Sequence, residues 1–139
     1  MEGCLIMEEL ALSYPFRLDD YGNIATTVDQ GKIWADRVRS VIGTVIGERV
    51  MRPTFGTKTA YASWETRSAM ETLVRKEIER GFYLLLPLLT VVDISFGFND
   101  AENIISANIT YQLPDKREST TRVGLVVLSE NTPPYEETA

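Results

Sequence analysis

The stretch GERVMRPTFG, residues 47–56, holds an acid and two bases close together, next to a proline and a glycine that restrict or permit sharp turns. Glu48 could donate a proton, and Arg49 and Arg52 could hold an anion or pair with a carboxylate. Pro53 fixes its own backbone φ angle and restrains the residue before it, and Gly56 permits a turn into the next element. The stretch is therefore an active-site loop, a ligand clamp or a structural lock.

Apolar side chains surround the charges of this stretch in the sequence. They are Val45, Ile46, Val50, Met51 and Phe55. Because such groups favour burial, we expect some of the charges to lie in a partly dry site, where an unpaired charge is costly. The available ion pair is Glu48 with Arg49 or Arg52, and the sequence leaves the choice of arginine open.

Glu48 could also be the acid of a glycoside hydrolase. Such an acid needs an apolar pocket free of cations, whereas Glu48 has two arginines close in the sequence. Asp19 and Asp20 are the available second carboxylates, but adjacent acids in a turn are usually solvated. We therefore predict that the chain is not an enzyme and has no catalytic residues. Cell-wall hydrolysis stays as a third hypothesis.

Composition narrows the classes of partner and of chemistry. The 139 residues carry a formal charge of -6 at pH 7, which disfavours binding to nucleic acid and to anionic membranes. The sequence has no histidine, which removes the commonest general base and most zinc sites, so we expect no metal and no cofactor. Cys4 is the single cysteine, which excludes an internal disulfide. The longest apolar run, from Tyr83 to Val92, is about half as long as a membrane span.

Two amphipathic helices are predicted to position the loop. The first begins after Asp29, whose carboxylate can cap the opening turn. Its apolar stripe consists of Trp34, Val38, Val41 and Val45. The second begins after Thr59 or Ser63 and ends near Gly81, because glycine suits the position just past a helix end. Its apolar stripe consists of Met70, Leu73, Val74 and Ile78.

From Thr90 onward the apolar period becomes two, which predicts three strands joined by short turns. The inward-facing residues are Val92, Ile94, Phe96 and Phe98, then Ile105, Ala107, Ile109, Tyr111 and Leu113, then Val123, Leu125 and Val127. Such a meander has one apolar face that needs a cover, and the two helices supply it. The predicted fold is α+β, a two-layer domain of two helices on a small antiparallel meander. Residues 1–27 are an irregular arm, 28–128 the domain, and 129–139 a polar tail.

The loop motif carries a family resemblance. It runs from Thr44 to Gly56 with the pattern T-x-x-G-E-R-x-x-x-P-x-F-G. Further similar positions are Tyr14-Pro-Phe-Arg17, a turn centred on Gly22, and Ile42 to Thr44. On these residues the sequence resembles, from about Leu12 to Leu128, the phage baseplate wedge and sheath-initiator family. That family includes the corresponding baseplate subunit of bacterial type VI secretion systems, and a stress-response anti-adaptor shares its fold.

The resemblance implies a role for the loop in assembly. In that family the matching Glu, Arg and Pro are structural and partner-docking residues, which here are Glu48, Arg49 and Pro53. Arg52 and Gly56 complete the predicted docking motif, although Arg52 has no family role to carry over. The implied partners are other baseplate wedge proteins, the tail sheath protein, and the tail tube or hub. The implied location is the tail baseplate of a virion, assembled in the host bacterial cytoplasm with six copies per baseplate.

The meander suggests a second contact, because an open sheet edge can accept a strand from another chain. The resemblance implies that this sheet pairs with strands of the first sheath ring. The predicted sheath-pairing strand contains Ser119, Thr121, Val123, Leu125 and Val127. The predicted function is therefore a baseplate component that docks on wedge subunits and initiates sheath assembly. The alternative is an anti-adaptor-like regulator that uses the same fold to bind one cellular partner.

Overall fold

The computed structural model of the chain describes residues 9–99, 101 and 104–127. Its elements are β1 Ala11–Leu12, β2 Thr26–Thr27, α1 Gln30–Gly43, a 3-10 helix Thr59–Trp64, α2 Arg67–Leu85, β3 Thr90–Asn99, β4 Ile104–Gln112 and β5 Glu118–Val127. Strands β3, β4 and β5 form one antiparallel sheet in that order, and β1 pairs with β2 in a separate ribbon. The predicted α+β class, with two helices and a three-stranded meander, is confirmed. Residues 1–8 of the predicted arm and the predicted tail lie outside the described residues.

Helix α1 begins where the sequence predicts. The carboxylate of Asp29 accepts a hydrogen bond from the amide of Gly31 at 3.0 Å, which satisfies one of the free donors of the first turn. The buried side chains of α1 are Ile33, Trp34, Val38, Val41 and Ile42. They lie at helical spacing on one face, so α1 packs through a single apolar stripe.

Helix α2 begins later and ends later than predicted. Its N-cap is Thr66, because the preceding residues form the 3-10 helix and the Thr59 hydroxyl donates to the carbonyl of Ile42 instead. Gly81 is not at the helix end. A Cβ atom at Gly81 would lie 3.1 Å from Cγ2 of Thr57 and 3.5 Å from Cγ1 of Val41. Position 81 therefore favours glycine because Thr57 and Val41 lie close to α2 at that point.

The sheet turns one apolar face toward the helices, with two interruptions. Ile94 is buried and Phe96 and Phe98 pack against the core, as the alternation predicts. Val92 was predicted to face inward but is 53% exposed, because a bulge between Val91 and Asp93 moves the alternation by one residue. A second bulge lies in β5, where the register passes from Val126 to Gly124 and leaves Leu125 without a paired residue.

The core forms where the helices cover the sheet. Val38, Val74, Ile78, Ile109 and Tyr111 are fully buried. The Tyr111 and Thr121 hydroxyls lie 2.9 Å apart and hydrogen-bond to each other, so each buried polar group has a partner. The predicted inward position of Val123 is confirmed, and that of Leu125 is confirmed by its packing against the core. The side chain of Val127 lies outside the described part of the chain.

The arm is held on the outer face of α1. Arg37 forms an ion pair with Glu9, and the amino group of Lys32 donates to the carbonyl of Tyr14. The amide group of Gln30 donates to the carbonyl of Glu9 at 3.3 Å. The arm is also more regular than predicted, because it includes the β1–β2 ribbon. Within the described ranges, the structure has no helix with the length and apolar character of a membrane span.

Replacing Ile78 by alanine tests the position of the core. Ile78 is 0% exposed, so Ile78→Ala should lower the free energy of unfolding by about 2–5 kcal/mol through the cavity that it leaves. Leu84 lies on the same helix and is 58% exposed, and Leu84→Ala should change the free energy by less than about 1 kcal/mol. Urea denaturation measures both variants. Equal losses would contradict this assignment of the buried helix face.

Candidate partner-docking site

The predicted docking motif forms a loop that is closed at its base by backbone pairing. Val45, just after α1, pairs with Thr57 in an isolated parallel bridge. The amide of Thr57 donates to the carbonyl of Thr44 at 2.9 Å, and the amide of Ile46 donates to the carbonyl of Thr57 at 3.2 Å. The two ends of the loop are therefore held side by side, and the residues between them project from the domain.

Two glycines allow the backbone to close in this way. Gly47 has a φ angle of 90° and Gly56 a φ angle of 112°, both in the region that favours glycine. At Gly56 there is also a steric reason, because a Cβ atom would lie 2.3 Å from the carbonyl oxygen of Thr44. At Gly47 nothing lies within 4 Å of a Cβ atom, so only the backbone conformation requires glycine.

Two buried threonines anchor the base of the loop to the end of α1. The hydroxyls of Thr57 and Thr59 both donate to the carbonyl of Ile42, at 3.0 Å and 3.3 Å. This carbonyl belongs to the last turn of α1, whose acceptors have no partner within the helix. The sequence pattern made Thr59 one of two candidate helix caps and gave no signal for Thr57. Two threonines beside a glycine are too common in loops to have indicated this contact.

Glu48 does not form the predicted ion pair. It is exposed, and its Oε2 atom accepts a hydrogen bond from the amide of Val45 at 2.9 Å. Among the described residues, Glu48 has no salt bridge with Arg49 or Arg52. The prediction of a partly buried charge pair is therefore wrong. The physical reason is that the tight turn brings a free backbone amide closer to the carboxylate than either guanidinium.

The two arginines contact an aromatic ring instead of an acid. The guanidinium carbon of Arg49 lies 4.0 Å from the centroid of the Phe55 ring, and that of Arg52 lies 5.3 Å from it. Arg49 also donates to the hydroxyl of Ser40 at 3.0 Å. Both distances fit cation–π contacts, which need no partner charge. Both arginines therefore contact the same ring, that of Phe55.

Pro53 contributes through its carbonyl as well as through its ring. That carbonyl accepts from the amide of Gly47 at 2.9 Å, which ties the two halves of the loop together. Two further turns follow the same path, in which the amide of Arg52 donates to the carbonyl of Arg49 and the amide of Phe55 to that of Arg52. The structure thus brings together the predicted motif residues Glu48, Arg49, Arg52, Pro53 and Gly56 in one compact loop.

Val50 and Met51 lie at the outer end of the loop. Each is 91% exposed, which contradicts the expectation that the apolar neighbours of the charges are buried. The other three, Val45, Ile46 and Phe55, are half-buried. Only the apolar residues at the base of the loop are partly buried. Farther out, backbone hydrogen bonds such as that from Gly47 to Pro53 join the two halves of the loop directly.

Glu77 of α2 fixes the segment that follows the loop. Its carboxylate accepts from the amide of Lys58 at 3.0 Å and from Arg80 at 2.9 Å. Burial raises the pKa of Glu77, but the hydrogen bonds from Arg80 and Lys58 and their charges outweigh it, so the pKa is lowered overall. The ionised form of Glu77 therefore stabilises the loop base.

The predicted sheath-pairing strand β5 lies at one edge of the sheet. Its residues Thr121 and Val123 face the core and Ser119 and Leu125 are half-buried, so the side chains predicted for pairing point mostly inward. Exposed residues alternate with them at Thr120, Arg122 and Gly124. A strand added to β5 would therefore contact its backbone rather than the side chains of the predicted set.

The other edge strand, β3, is contacted by side chains of α2. Arg75 donates to the carbonyl of Ile94 at 3.0 Å, and its guanidinium carbon lies 5.7 Å from the centroid of Phe96. The guanidinium carbon of Arg67 lies 3.5 Å from the centroid of Phe98. Basic side chains are a common means of protecting a sheet edge.

Asp19, one of the two acids available as a second carboxylate, is engaged within its own turn. The carboxylate of Asp19 accepts from the amides of Tyr21 and Asn23, at 2.9 Å and 2.8 Å, and so closes its own turn. Among the described residues, no group of three or more acidic or cysteine side chains is arranged to hold a metal ion.

Solved structures share this fold. No protein-family profile and no curated protein sequence matches the chain. A chain of the anti-feeding prophage baseplate, six-fold symmetrised, is 18% identical with a TM-score of 0.66, and the match covers 76% of this chain and 86% of that chain. A candidate tail lysozyme from Geobacter sulfurreducens is 22% identical with a TM-score of 0.58, and the match covers 70% of this chain and 90% of that chain. At these identities the likeness establishes a common fold, and it extends over most of each neighbour.

Replacing the two glycines by alanine tests the closure of the loop. Gly47→Ala should cost about 1–2 kcal/mol of unfolding free energy, because it meets only the left-handed backbone penalty. Gly56→Ala should cost at least about 3 kcal/mol, because the added methyl also meets the Thr44 carbonyl. Urea denaturation compares the pair. Similar losses would mean that the close approach at Gly56 is relaxed in solution.

Acid titration tests the role of Glu77. Because its pKa in the fold is lowered from 4.5, its stabilising contribution is present above that value and is lost as the pH falls through the lower folded pKa. Glu77→Gln should therefore reduce the free energy of unfolding at pH 7, and the difference from wild type should shrink below about pH 4.5. Glu79→Gln, at an exposed position on the same helix, is the control. A loss for Glu77→Gln that does not depend on pH would contradict this role.

Proposed function

We propose that this chain is a structural component of a contractile-tail baseplate. The observation that carries the proposal is the likeness to a chain of the anti-feeding prophage baseplate, which extends over 86% of that chain. The motif from Thr44 to Gly56 also supports it, because the sequence resembles baseplate wedge proteins on these residues. The location that follows is a virion or a tail-like particle.

The loop is the proposed contact with neighbouring wedge proteins. It projects from the domain, and hydrogen bonds within its backbone hold its shape. A surface that is already ordered loses little conformational entropy when it binds. The six-fold symmetry of the anti-feeding prophage baseplate supports a count of six copies per particle. Wedge proteins and the tail tube or hub are the neighbours that the sequence resemblance implies.

Strand β5 is the proposed contact with the tail sheath protein. Its only strand neighbour in the described sheet is β4, so its outer edge has no paired strand among the described residues, which is the arrangement that strand addition requires. The outer edge of β3 is less suited to strand pairing, because Arg75 already donates a hydrogen bond to the carbonyl of Ile94 there. Pairing of a sheath strand with β5 would extend the sheet by one strand. It would also fix the first sheath ring on the baseplate, and in this way the chain would initiate sheath assembly.

A non-catalytic role also fits the surroundings of Glu48. Its carboxylate is exposed and bound to the amide of Val45, whereas a glycosidase acid lies in an apolar enclosure beside a second carboxylate. The name of the Geobacter sulfurreducens protein raises cell-wall hydrolysis as an alternative. The anti-adaptor alternative shares the fold, and it predicts a gene that stands apart from sheath, tube and wedge genes.

Site-directed photocrosslinking tests the contact at β5. A benzophenone maleimide is attached at Thr120→Cys on β5 or at Ser95→Cys on β3, both exposed positions, in a chain that carries Cys4→Ser. In particles purified from the organism that carries the gene, the β5 label should form an adduct with the sheath protein. The β3 label should not, because α2 side chains contact that edge.

Three outcomes would contradict the proposal in different ways. An adduct from Ser95→Cys alone would assign the sheath contact to β3. Sheath adducts from neither label, in particles that contain the chain, would remove the role in sheath initiation but leave the baseplate location. Absence of the wild-type chain from purified particles would overturn the baseplate role itself.

A further inference from the structure

The outer end of the loop presents two aliphatic side chains to water. Val50 and Met51 are each 91% exposed, and among the large apolar side chains that the structure describes only Tyr21 is as exposed. Single exposed apolar residues are ordinary on protein surfaces, but two adjacent ones at the end of a projecting loop are not explained by the fold. We call this pair the knob.

The knob stands on a loop whose shape does not depend on a partner. The carbonyl of Pro53 accepts from Gly47, and the carboxylate of Glu48 accepts from Val45. The base is closed between Val45 and Thr57 and leaves no space for a side chain at Gly56. These contacts are all internal to the loop, so Glu48, Pro53 and Gly56 act by positioning the knob.

Positive charge lies beside the knob. Arg49 and Arg52 are exposed and lie against Phe55, and the nearby carboxylate of Glu48 is engaged by a backbone amide. This local charge is opposite in sign to the formal charge of the chain, which is -6. An acidic partner surface would therefore be attracted to this loop and repelled by the remainder of the molecule.

We propose that Val50 and Met51 insert into an apolar pocket of a neighbouring baseplate protein whose rim carries carboxylates that meet Arg52. This inference rests on the proposed function and deepens it, because it moves the docking contact from Glu48 to the knob. Apolar anchors in a pocket with a polar rim are the usual arrangement of residues that dominate binding energy. Arg52 takes the rim position because Arg49 is also held by Ser40.

Two other occupants fit the loop less well. A second copy that met this loop through the same loop would bring four arginines together, which like charges oppose. A membrane surface would have to attract a chain of charge -6 through only two aliphatic side chains. An apolar protein pocket with an acidic rim would match both the two aliphatic side chains of the knob and the positive charge beside them.

Competitive incorporation into particles tests the inference. A double variant, Val50→Ser with Met51→Ser, is expressed together with the wild-type chain in the organism that carries the gene, and peptide mass spectrometry measures their ratio in purified particles. The double variant should be depleted by about 30-fold or more, which corresponds to the loss of a dominant contact. Tyr21→Ser is the matched control for exposure, and its ratio should equal that of the expressed chains.

Two further variants test the rim. Arg52→Glu should be depleted and Arg52→Lys should be retained, because the proposed rim contact needs a positive charge. Circular dichroism and urea denaturation of the purified variants should match wild type, since the replaced side chains are exposed. Undiminished incorporation of the double variant would overturn the inference while the wild-type chain in particles still supports the baseplate role.

Sedimentation of the free chain tests whether the knob binds a second copy of this chain. The wild-type chain should sediment as the double variant does. Self-association of the wild type that the double variant lacks would assign the pocket to a second copy and overturn the inference. Absence of the wild-type chain from particles would overturn the proposed function instead.

Discussion

The closure of the loop at Gly56 is the constraint on which the candidate site depends. The backbone passes so near the carbonyl of Thr44 that no side chain fits, and the next residue, Thr57, donates to the carbonyl of Ile42 in the last turn of α1. On its other side Thr57 meets α2 at Gly81, where a side chain would crowd it. The loop is thus joined to both helices through one buried residue, and the site is part of the packed core at its base.

Within this short motif, the residues that fix the shape of the loop differ from the residues that are exposed to a partner. The charged residue that first suggests chemistry, Glu48, is used internally as an acceptor for a backbone amide. The aromatic residue Phe55 contacts two arginines, and the proline carbonyl joins the halves of the loop. The proposed partner contact falls on the least distinctive part of the motif, the exposed Val50 and Met51, together with the adjacent guanidinium groups.

The helices and strands were predictable because their apolar residues follow a simple period, and the cap at Asp29 follows from its local chemistry. The limits of α2 were not, because a 3-10 helix precedes it and Gly81 serves packing rather than termination. The sequence singled out the residues that form this loop, but it did not indicate their contacts. Whether Glu48 pairs with an arginine or with an amide depends on backbone turns that a residue pattern does not specify.

The inward side of β5 was predicted from alternation, whereas the bulge at Leu125 was not, because an extra residue leaves no mark in the apolar pattern. That bulge limits the length of strand that this edge can template. Regular spacing along β5 extends only from Glu118 to Gly124, which is about 24 Å of extended backbone at about 3.4 Å per residue. A strand donated by another chain would stay in phase over that distance and would have to bend away beyond it.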